Sequence, residues 1–500
     1  MDSVYQKIRT LPELSERLSK KGRAGKKVVH CHGVFDLLHL GHIRHLHAAK
    51  KHGDILVVTT TADQYVKRGP GRPVFSQDLR LEAIANMEIV DFVAVVEGPV
   101  ATDAIKAIQP DFYVKGADYR KRESDVTQKI YDEEAAVREV GGELIFTDEL
   151  TFSSSQLINN YFDSYPRDTL NYLKKIATCY SADYIGEQLK RLSDLKVLVI
   201  GDTIIDQYHY CRPLNKSSTE NIVVNKYING EDFAGGALAT CNHAAQVASD
   251  IELLTVLGKD DSYEDFVRRH LNTAIQPQFF YRDNCVTTVK RRYVHHETGQ
   301  KLFEVCFMDD QELISVEQQG IIDYLKSNLP KYDLVIVSDF GHGMLTNDII
   351  EVLCREARCL AVNVQTNSAN LGFNFVTKYR RADLVCIDER EIRLAMHDKQ
   401  SDLESLVKKI HRQLSCQQVM VTRGPDGAIS FRKEGFDSAP ALAQTSVDKV
   451  GAGDAFFSYV APCFAIGLPQ DLTNFVGNAV GAIAVQIVGN RESVQYVDLM

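Results

Sequence analysis

Two short segments of this 500-residue chain combine side chains and backbone suited to chemistry on phosphate: GVFDLLHLGHIRHLHAAKKHGD at 33–54 and DKVGAGDAFFSYVAPCFAIG at 448–467. In the first, Gly33 lets the backbone approach a phosphate, and His39 and His42 stand three apart, neighbours on one helical turn. A helix N-terminus already favours anions, and two imidazoles there add donors for a triphosphate. Nucleotidyl transfer needs charge stabilisation at the α-phosphate and an aligned attacking oxygen more than it needs covalent help. A metal site and plain surface histidines are the competing readings, because His30, His32, His45, His47 and His52 crowd the stretch. The GVFD step in front, with a strand before and a helix after, favours the phosphate reading.

In the second segment two glycines flank Ala452 and permit a tight turn with inward amides. A helix expected to begin near Asp454 aims its positive end at the same point. The bland reading of Asp454 is an N-cap.

The elements that must hold these segments are legible from periodicity. Short apolar runs at 26–35, KKVVHCHGVF, and 195–206, LKVLVIGDTIID, read as buried first strands. After each, strand-like runs alternate with helix-length segments, which predicts parallel, doubly wound sheets. The expected organisation is an N-terminal helical extension (1–26), a first α/β domain (27–160), a helical connector (161–194) and a second α/β domain (195–500).

Composition limits the classes. A hydrophobic fraction of 44% with 25% charged residues predicts packed cores rather than disorder. The formal net charge of -10 argues against nucleic acid as a partner. Eleven cysteines form no CxxC pair and read as reduced thiols of a cytoplasmic protein. No apolar run reaches membrane-spanning length and the N-terminus lacks a signal-type core, so no membrane partner is expected.

Residues 27–160 resemble the HxGH cytidylyltransferase-like nucleotidyltransferases, the motif standing as HLGH at 39–42, and are most similar to the adenylyltransferase half of the bifunctional ADP-heptose-synthesis family. VKRGPGRPVFSQDLRLEAI (66–84), VKGADY (114–119) and FSSSQLI (152–158) carry the same resemblance. It implies a Rossmann-like fold in which His39 and His42 stabilise the transition state and Lys67 or Arg68 neutralises phosphate. Ser153, Ser154 and Ser155 would close the site, and Gly33, Phe35 and Asp36 would complete the nucleotide-binding set. Ser-Ser stands where the family has Thr-Thr, and as plain residues the serines read as an N-cap cluster.

Residues 195–495 resemble the ribokinase-like, or phosphofructokinase-B, sugar kinases. That resemblance makes Gly451, Ala452 and Gly453 an anion hole and Asp454 the base that takes a sugar hydroxyl proton. Thr422, Gly424 and Gly427 of VTRGPDGA would lie along ATP, and Asp206 would meet sugar hydroxyls, with Gly235 and Gly236 allowing close approach. Lys290 and Arg292 suit a phosphate already on the substrate, or else form a solvated strand edge. Glu391, in the step from Asp388 that replaces the family's NxxE, is the expected magnesium-linked carboxylate.

The departures fall on the sugar side. Ala239 replaces an expected asparagine, with Asn242 nearest, and VNVQTNSANLGFN (362–374) replaces an Asp-Pro-Lys-Gly step, so Asn363 stands where a carboxylate is usual. The kinase also comes last here, the reverse of the bifunctional family's order. The expected function is ATP-dependent phosphorylation of a sugar phosphate, heptose-like and at C1, with nucleotidyl transfer to a sugar 1-phosphate. Mg2+ and ATP are the expected cofactors, CTP the alternative for the transferase, and a homo-oligomer the expected assembly. One active domain beside a sensing or oligomerisation module, and an alditol-phosphate cytidylyltransferase fused to a kinase, are the other readings.

Overall fold

A computed structural model describes residues 2–18, 22–66, 73–116, 129–147, 165–217, 219–309 and 311–499. The chain forms two compact units, Met1–Pro166 and Arg167–Met500.

The first unit holds a five-stranded sheet of β1 (Val28–Gly33), β2 (Ile55–Thr61), β3 (Phe92–Val96), β4 (Phe112–Lys115) and β5 (Glu143–Phe146). Its order is β3-β2-β1-β4-β5 and every pairing is parallel. Successive residues of β1 feed opposite faces. Val28 packs with Leu14 and Leu18 of the N-terminal segment, and Val29 and Cys31 pack with Leu46 and Ile84. The helix Leu11–Arg17 is capped by a reciprocal Thr10–Glu13 box. Through Leu14 the first residues join the core of the sheet rather than trailing from it.

The second unit begins with helices Arg167–Cys179 and Ala182–Lys190, whose Ile176 and Leu189 pack into its clusters. Its large sheet comprises β6 (Lys196–Gly201), β9 (Asp250–Asp260), β10 (Ile275–Val286), β13 (Leu334–Asp339), β14 (Leu360–Val364), β15 (Leu384–Asp388), β16 (Gln418–Thr422), β17 (Ala428–Arg432) and β18 (Gly435–Ala439). The order is β10-β9-β6-β13-β14-β15-β16-β17-β18, parallel except for the β16–β17–β18 edge. Helices cover both faces, as a parallel sheet requires. Val197 and Val199 face the helices Ala237–Ala244 and Ala452–Ala465, while Leu198 and Ile200 face Ser315–Asn328 and Asn347–Glu356.

A four-stranded sheet was not legible as such in the sequence: β7 (Thr203–Lys216), β8 (Val223–Gly236), β11 (Val289–His295) and β12 (Lys301–Phe307), in the order β12-β11-β7-β8. The strand period of two divides its side chains. One face turns Asp206, Lys290, Arg292 and Glu304 to a cavity. The alternate positions Phe303, Tyr293, His209 and Tyr227 form a row of ring contacts, with centroids 4.4, 5.5 and 5.2 Å apart.

Candidate active sites

At the C-terminal end of β1 the backbone turns through Phe35 at φ +52°, a left-handed conformation that is uncommon outside glycine and that marks functional turns when neighbours enforce it. The Phe35 ring is buried and meets the edge of the His42 ring at 5.2 Å. It also lies 3.1 Å from where a side chain on Gly33 would begin. Aromatic packing against Gly33 thus braces His42. Asp36 is likewise inward: its Oδ1 accepts the Val74 and Phe75 N–H groups at 2.7 and 3.0 Å.

His39 is the N-cap of the helix Leu40–Lys50 and stacks on His42 with ring centroids 3.9 Å apart. Its Nδ1 accepts the Gly41 N–H at 3.1 Å. Burial lowers its pKa, so the neutral ring carries its proton on Nε2, a buried donor with no hydrogen-bond partner among the described residues. The expected positions Lys67, Arg68, Ser153, Ser154 and Ser155 lie outside the described residues.

One residue of the VKRGPGRPVFSQDLRLEAI segment that stands outside the expected site residues organises this loop. Arg80, 1% exposed, donates to the Val34, Thr61 and Phe75 carbonyls and to the Thr60 hydroxyl, and pairs with Asp63 at 2.6 Å. It staples the end of β1, the end of β2 and the 73–75 segment together.

In the second unit a cavity of about 640 Å³ opens between the C-terminal ends of the large sheet and the small sheet. Among the residues lining it are Asp206, Gly236, Lys290, Arg292, Glu391, Thr422, Gly424, Gly451, Gly453 and Asp454. An adjoining cavity of about 320 Å³ is lined by Gly427 and Ala452 and by apolar Leu442, Phe456, Ala482 and Val485, none of which stood out in the sequence.

The helix Ala452–Ala465 begins two residues before the expected Asp454, with Gly451 as N-cap at φ +81°. A side chain at 451 would overlap Oδ1 of Asn490, so the turn requires glycine. Asp454 is buried in the first turn of this helix, which is apolar almost all round and sits in the core. Burial, then the negative charge of Asp206, raise its pKa to about 7, opposed by a hydrogen bond from Gln365 and by Lys290. Gln365 Nε2 donates to Asp454 Oδ1 at 2.7 Å.

Asp206 pairs with Arg292, whose Nε also meets Glu304 at 2.8 Å. The guanidinium expected to grip a substrate phosphate is thus held by two carboxylates, while neighbouring Lys290, 7% exposed, lies over the Phe340 ring. Gly235 lies behind Asp206, since any Cβ there would overlap its Oδ2, and Gly236 has φ +61°.

Glu391, the expected magnesium-linked carboxylate, completes a capping box with Asp388, its Oε2 accepting the Asp388 N–H at 2.8 Å and its Oε1 the Thr366 N–H at 2.9 Å. Burial, then Asp388, push its pKa to about 8. Among the described residues no group of three His, Cys, Asp or Glu side chains is placed to hold a metal.

Asp448, the first residue of the DKVGAGD segment, joins the small sheet to the turn before the helix Ala452–Ala465. It accepts the Tyr208 hydroxyl at 2.7 Å, the Lys301 ammonium at 2.5 Å, the Val450 N–H at 3.1 Å and the Gly489 N–H at 3.0 Å. Tyr208 and Lys301 belong to β7 and β12, and Val450 belongs to the turn that precedes the anion hole.

Comparison with known proteins divides the chain in the same way. Residues 30–160 match the cytidylyltransferase-like family, and residues 194–495 match the pfkB family carbohydrate kinases. The chain is 26% identical over 306 residues to the bifunctional protein HldE of Citrifermentans bemidjiense, covering 60% of this chain and 62% of that protein. It is 39% identical over 137 residues to the HldE of Aliarcobacter butzleri, covering 27% of this chain and 29% of that protein. Each match spans less than two thirds of the HldE protein concerned. A D-beta-D-heptose 7-phosphate kinase of Bordetella bronchiseptica is 26% identical over 302 residues, 60% of this chain and 94% of that one. The fold is shared with phosphofructokinase-2 of Escherichia coli, with TM-score 0.51, 13% identity and coverage of 61% of this chain and 97% of that one. The chain belongs to the pfkB family of carbohydrate kinases and carries a cytidylyltransferase-like domain ahead of the kinase domain.

Proposed function

We propose that the chain activates a sugar in two reactions, phosphorylation by ATP at one site and nucleotidyl transfer at the other. In the kinase the acceptor hydroxyl of a sugar phosphate, heptose-like and at C1, gives its proton to Asp454 as its oxygen bonds to the γ-phosphorus. The bond to the β,γ-bridging oxygen breaks and ADP leaves. The amides of Gly451, Ala452 and Gly453 meet the charge on the transferring group. Thr422, Gly424 and Gly427 lie along the nucleotide, with the apolar cavity at Leu442, Phe456, Ala482 and Val485 for the base. Asp206, backed by Gly235 and Gly236 and oriented by Arg292, receives sugar hydroxyls, and Lys290 supplies the positive charge for the phosphate already on the sugar. The observation that carries this reading is the buried Asp454 on the first turn of a helix whose N-cap turn opens into a cavity.

Among the described residues no side-chain cluster forms a metal cage; Glu391 and Asp388 are the cavity carboxylates that would face a magnesium ion carried by the ATP phosphates. Bound there, it would neutralise charge on the phosphates.

In the transferase a sugar 1-phosphate oxygen attacks the α-phosphorus of ATP, or of CTP in the alternative, and pyrophosphate leaves. The Nε2–H of His39, with His42 held by Phe35, donates to phosphate oxygens. Lys67, Arg68, Ser153, Ser154 and Ser155 complete the site in this reading.

Seven of the eleven free cysteines are buried, and among the described residues no helix is long and apolar enough to cross a membrane. Both accord with the proposed cytoplasmic location. A second copy of the chain, giving a homo-oligomer, is the proposed partner.

The test is the separation of two activities. Asp454→Asn is expected to abolish ATP-dependent sugar phosphorylation and spare nucleotidyl transfer, and His42→Ala to do the reverse. Unchanged product formation in both variants would refute the assignment.

A further inference from the structure

We propose that Gln365 is a positioning residue of the kinase reaction, holding one oxygen of Asp454 so that the other is left to take the acceptor proton. The inference rests on the reading of Asp454 as the base. Gln365 follows β14 directly, and its backbone is fixed on every side. Its N–H donates to the Asp339 carbonyl at 2.8 Å, its carbonyl accepts from Asn374 Nδ2 at 3.1 Å, and the next N–H, of Thr366, donates to Glu391. A side chain leaving such an anchored backbone has few positions, and the amide reaches Oδ1 of Asp454 at 2.7 Å. Gln365 and Asp454 both line the cavity, so the contact lies where the chemistry is placed.

The chemistry of the amide fits the task. A carboxylate that must accept a proton needs one oxygen fixed by a donor and the other open, because a donor on both would lower its basicity. The Gln365 amide supplies one donor and no charge. A cation at this point would hold Asp454 as an ion pair, and a carboxylate would compete for its proton. The other charges facing the cavity come from several elements: Asp206 on β7, Lys290 and Arg292 on β11, and Glu304 on β12. On the nucleotide side stand Asp388, Glu389, Arg390, Glu391, Arg423 and Lys449. Asp206 opposes ionisation of Asp454 and Lys290 favours it, leaving the amide to set the direction in which the free oxygen is presented.

The test uses the full chain with Gln365→Met, which keeps the length and removes the donor, and Gln365→Glu, which keeps the shape and adds a carboxyl. Steady-state kinetics with ATP and a sugar phosphate are followed from pH 5.5 to 9.5, with thermal melts to show that each variant is folded. For Gln365→Met, kcat at pH 7 is expected to fall about fivefold, recovering as pH rises because the acid limb moves up by about one unit. The KM for ATP is expected to stay within about twofold. Gln365→Glu is expected to move the limb further in the same direction, since two carboxyl groups then share a proton. Wild-type kcat and an unmoved limb in both variants overturn the inference, as does a rise in acceptor KM alone, which would make Gln365 a substrate contact. A fully active Asp454→Asn chain removes the proposed base and this inference with it. An inactive Asp454→Asn chain beside wild-type-like Gln365 variants removes only the role of Gln365.

Discussion

Replacing Arg80 by methionine separates a structural staple from the chemistry beside it. The side chain is buried and the substitution roughly preserves its apolar length, so the loss is polar. Three backbone carbonyls, Val34, Thr61 and Phe75, lose their side-chain donor, and Asp63 loses its cation. The Thr60 hydroxyl keeps its own bond to the Val34 carbonyl at 2.9 Å, and Asp63 retains the Gln77 N–H at 3.0 Å, so neither is stranded. With the Val34 carbonyl still accepting from Thr60 and Asp63 partly exposed, the cost is that of the Thr61 and Phe75 carbonyls left without this donor, about 2–4 kcal/mol. For a unit of this size that corresponds to a fall in Tm of roughly 4–16 °C. The chain has no tryptophan, so differential scanning calorimetry is the better probe. Because Arg80 ties the turn behind His39 and His42, nucleotidyl transfer should fall with it, while ATP-dependent sugar phosphorylation serves as the internal control. A melting profile within about 1 °C of wild type together with wild-type transfer would refute the staple argument.

Two further outcomes follow from the geometry. Gly235→Ala drives a methyl group into Oδ2 of Asp206 and should displace that carboxylate from Arg292, raising the acceptor KM about tenfold with the ATP KM unchanged; wild-type KM values for both substrates would refute the positioning of Asp206. Burial lowers the pKa of His30 to about 3 and of His45 and His243 to about 4, so folding selects their neutral forms. The stability they allow is complete above the unfolded value near 6.5 and is lost as pH falls from there toward 4, about 2 kcal/mol by pH 5 from His30 alone. A urea midpoint that stays flat between pH 7 and pH 5 would count against these rings being buried and neutral.

The sequence disclosed what local pattern controls. Continuous apolar runs announced β1 and β6, and the Gly-Ala-Gly-Asp turn announced the helix dipole and the base, because both depend on neighbours within a few residues. The small sheet escaped notice because its strands alternate charged cavity-facing residues with aromatic ones, a pattern that left Lys290 and Arg292 readable either as phosphate ligands or as a solvated edge. Arg80, Gln365 and Asp448 escaped for another reason: their partners are set by tertiary packing, as in the Gln365–Asp454 contact across 89 residues. Signals did exist. Gln365 lies in the segment that departs from the family pattern, and Asp448 opens the sharpest motif in the chain. The pairing of Arg292 with two carboxylates had no such signal, since Asp206 and Glu304 reach it from different strands.

Asp448 has a consequence for the order of events at the kinase site. One carboxylate receives the hydroxyl and ammonium of two strands that wall the sugar side and the amide of the turn that cradles phosphate, so neither wall nor turn can shift without straining the other. Were a sugar to draw β12 inward, the turn would be drawn with it, and thermodynamic reciprocity would then require ATP to tighten the hold on the sugar by the same factor, whichever of the two arrives first.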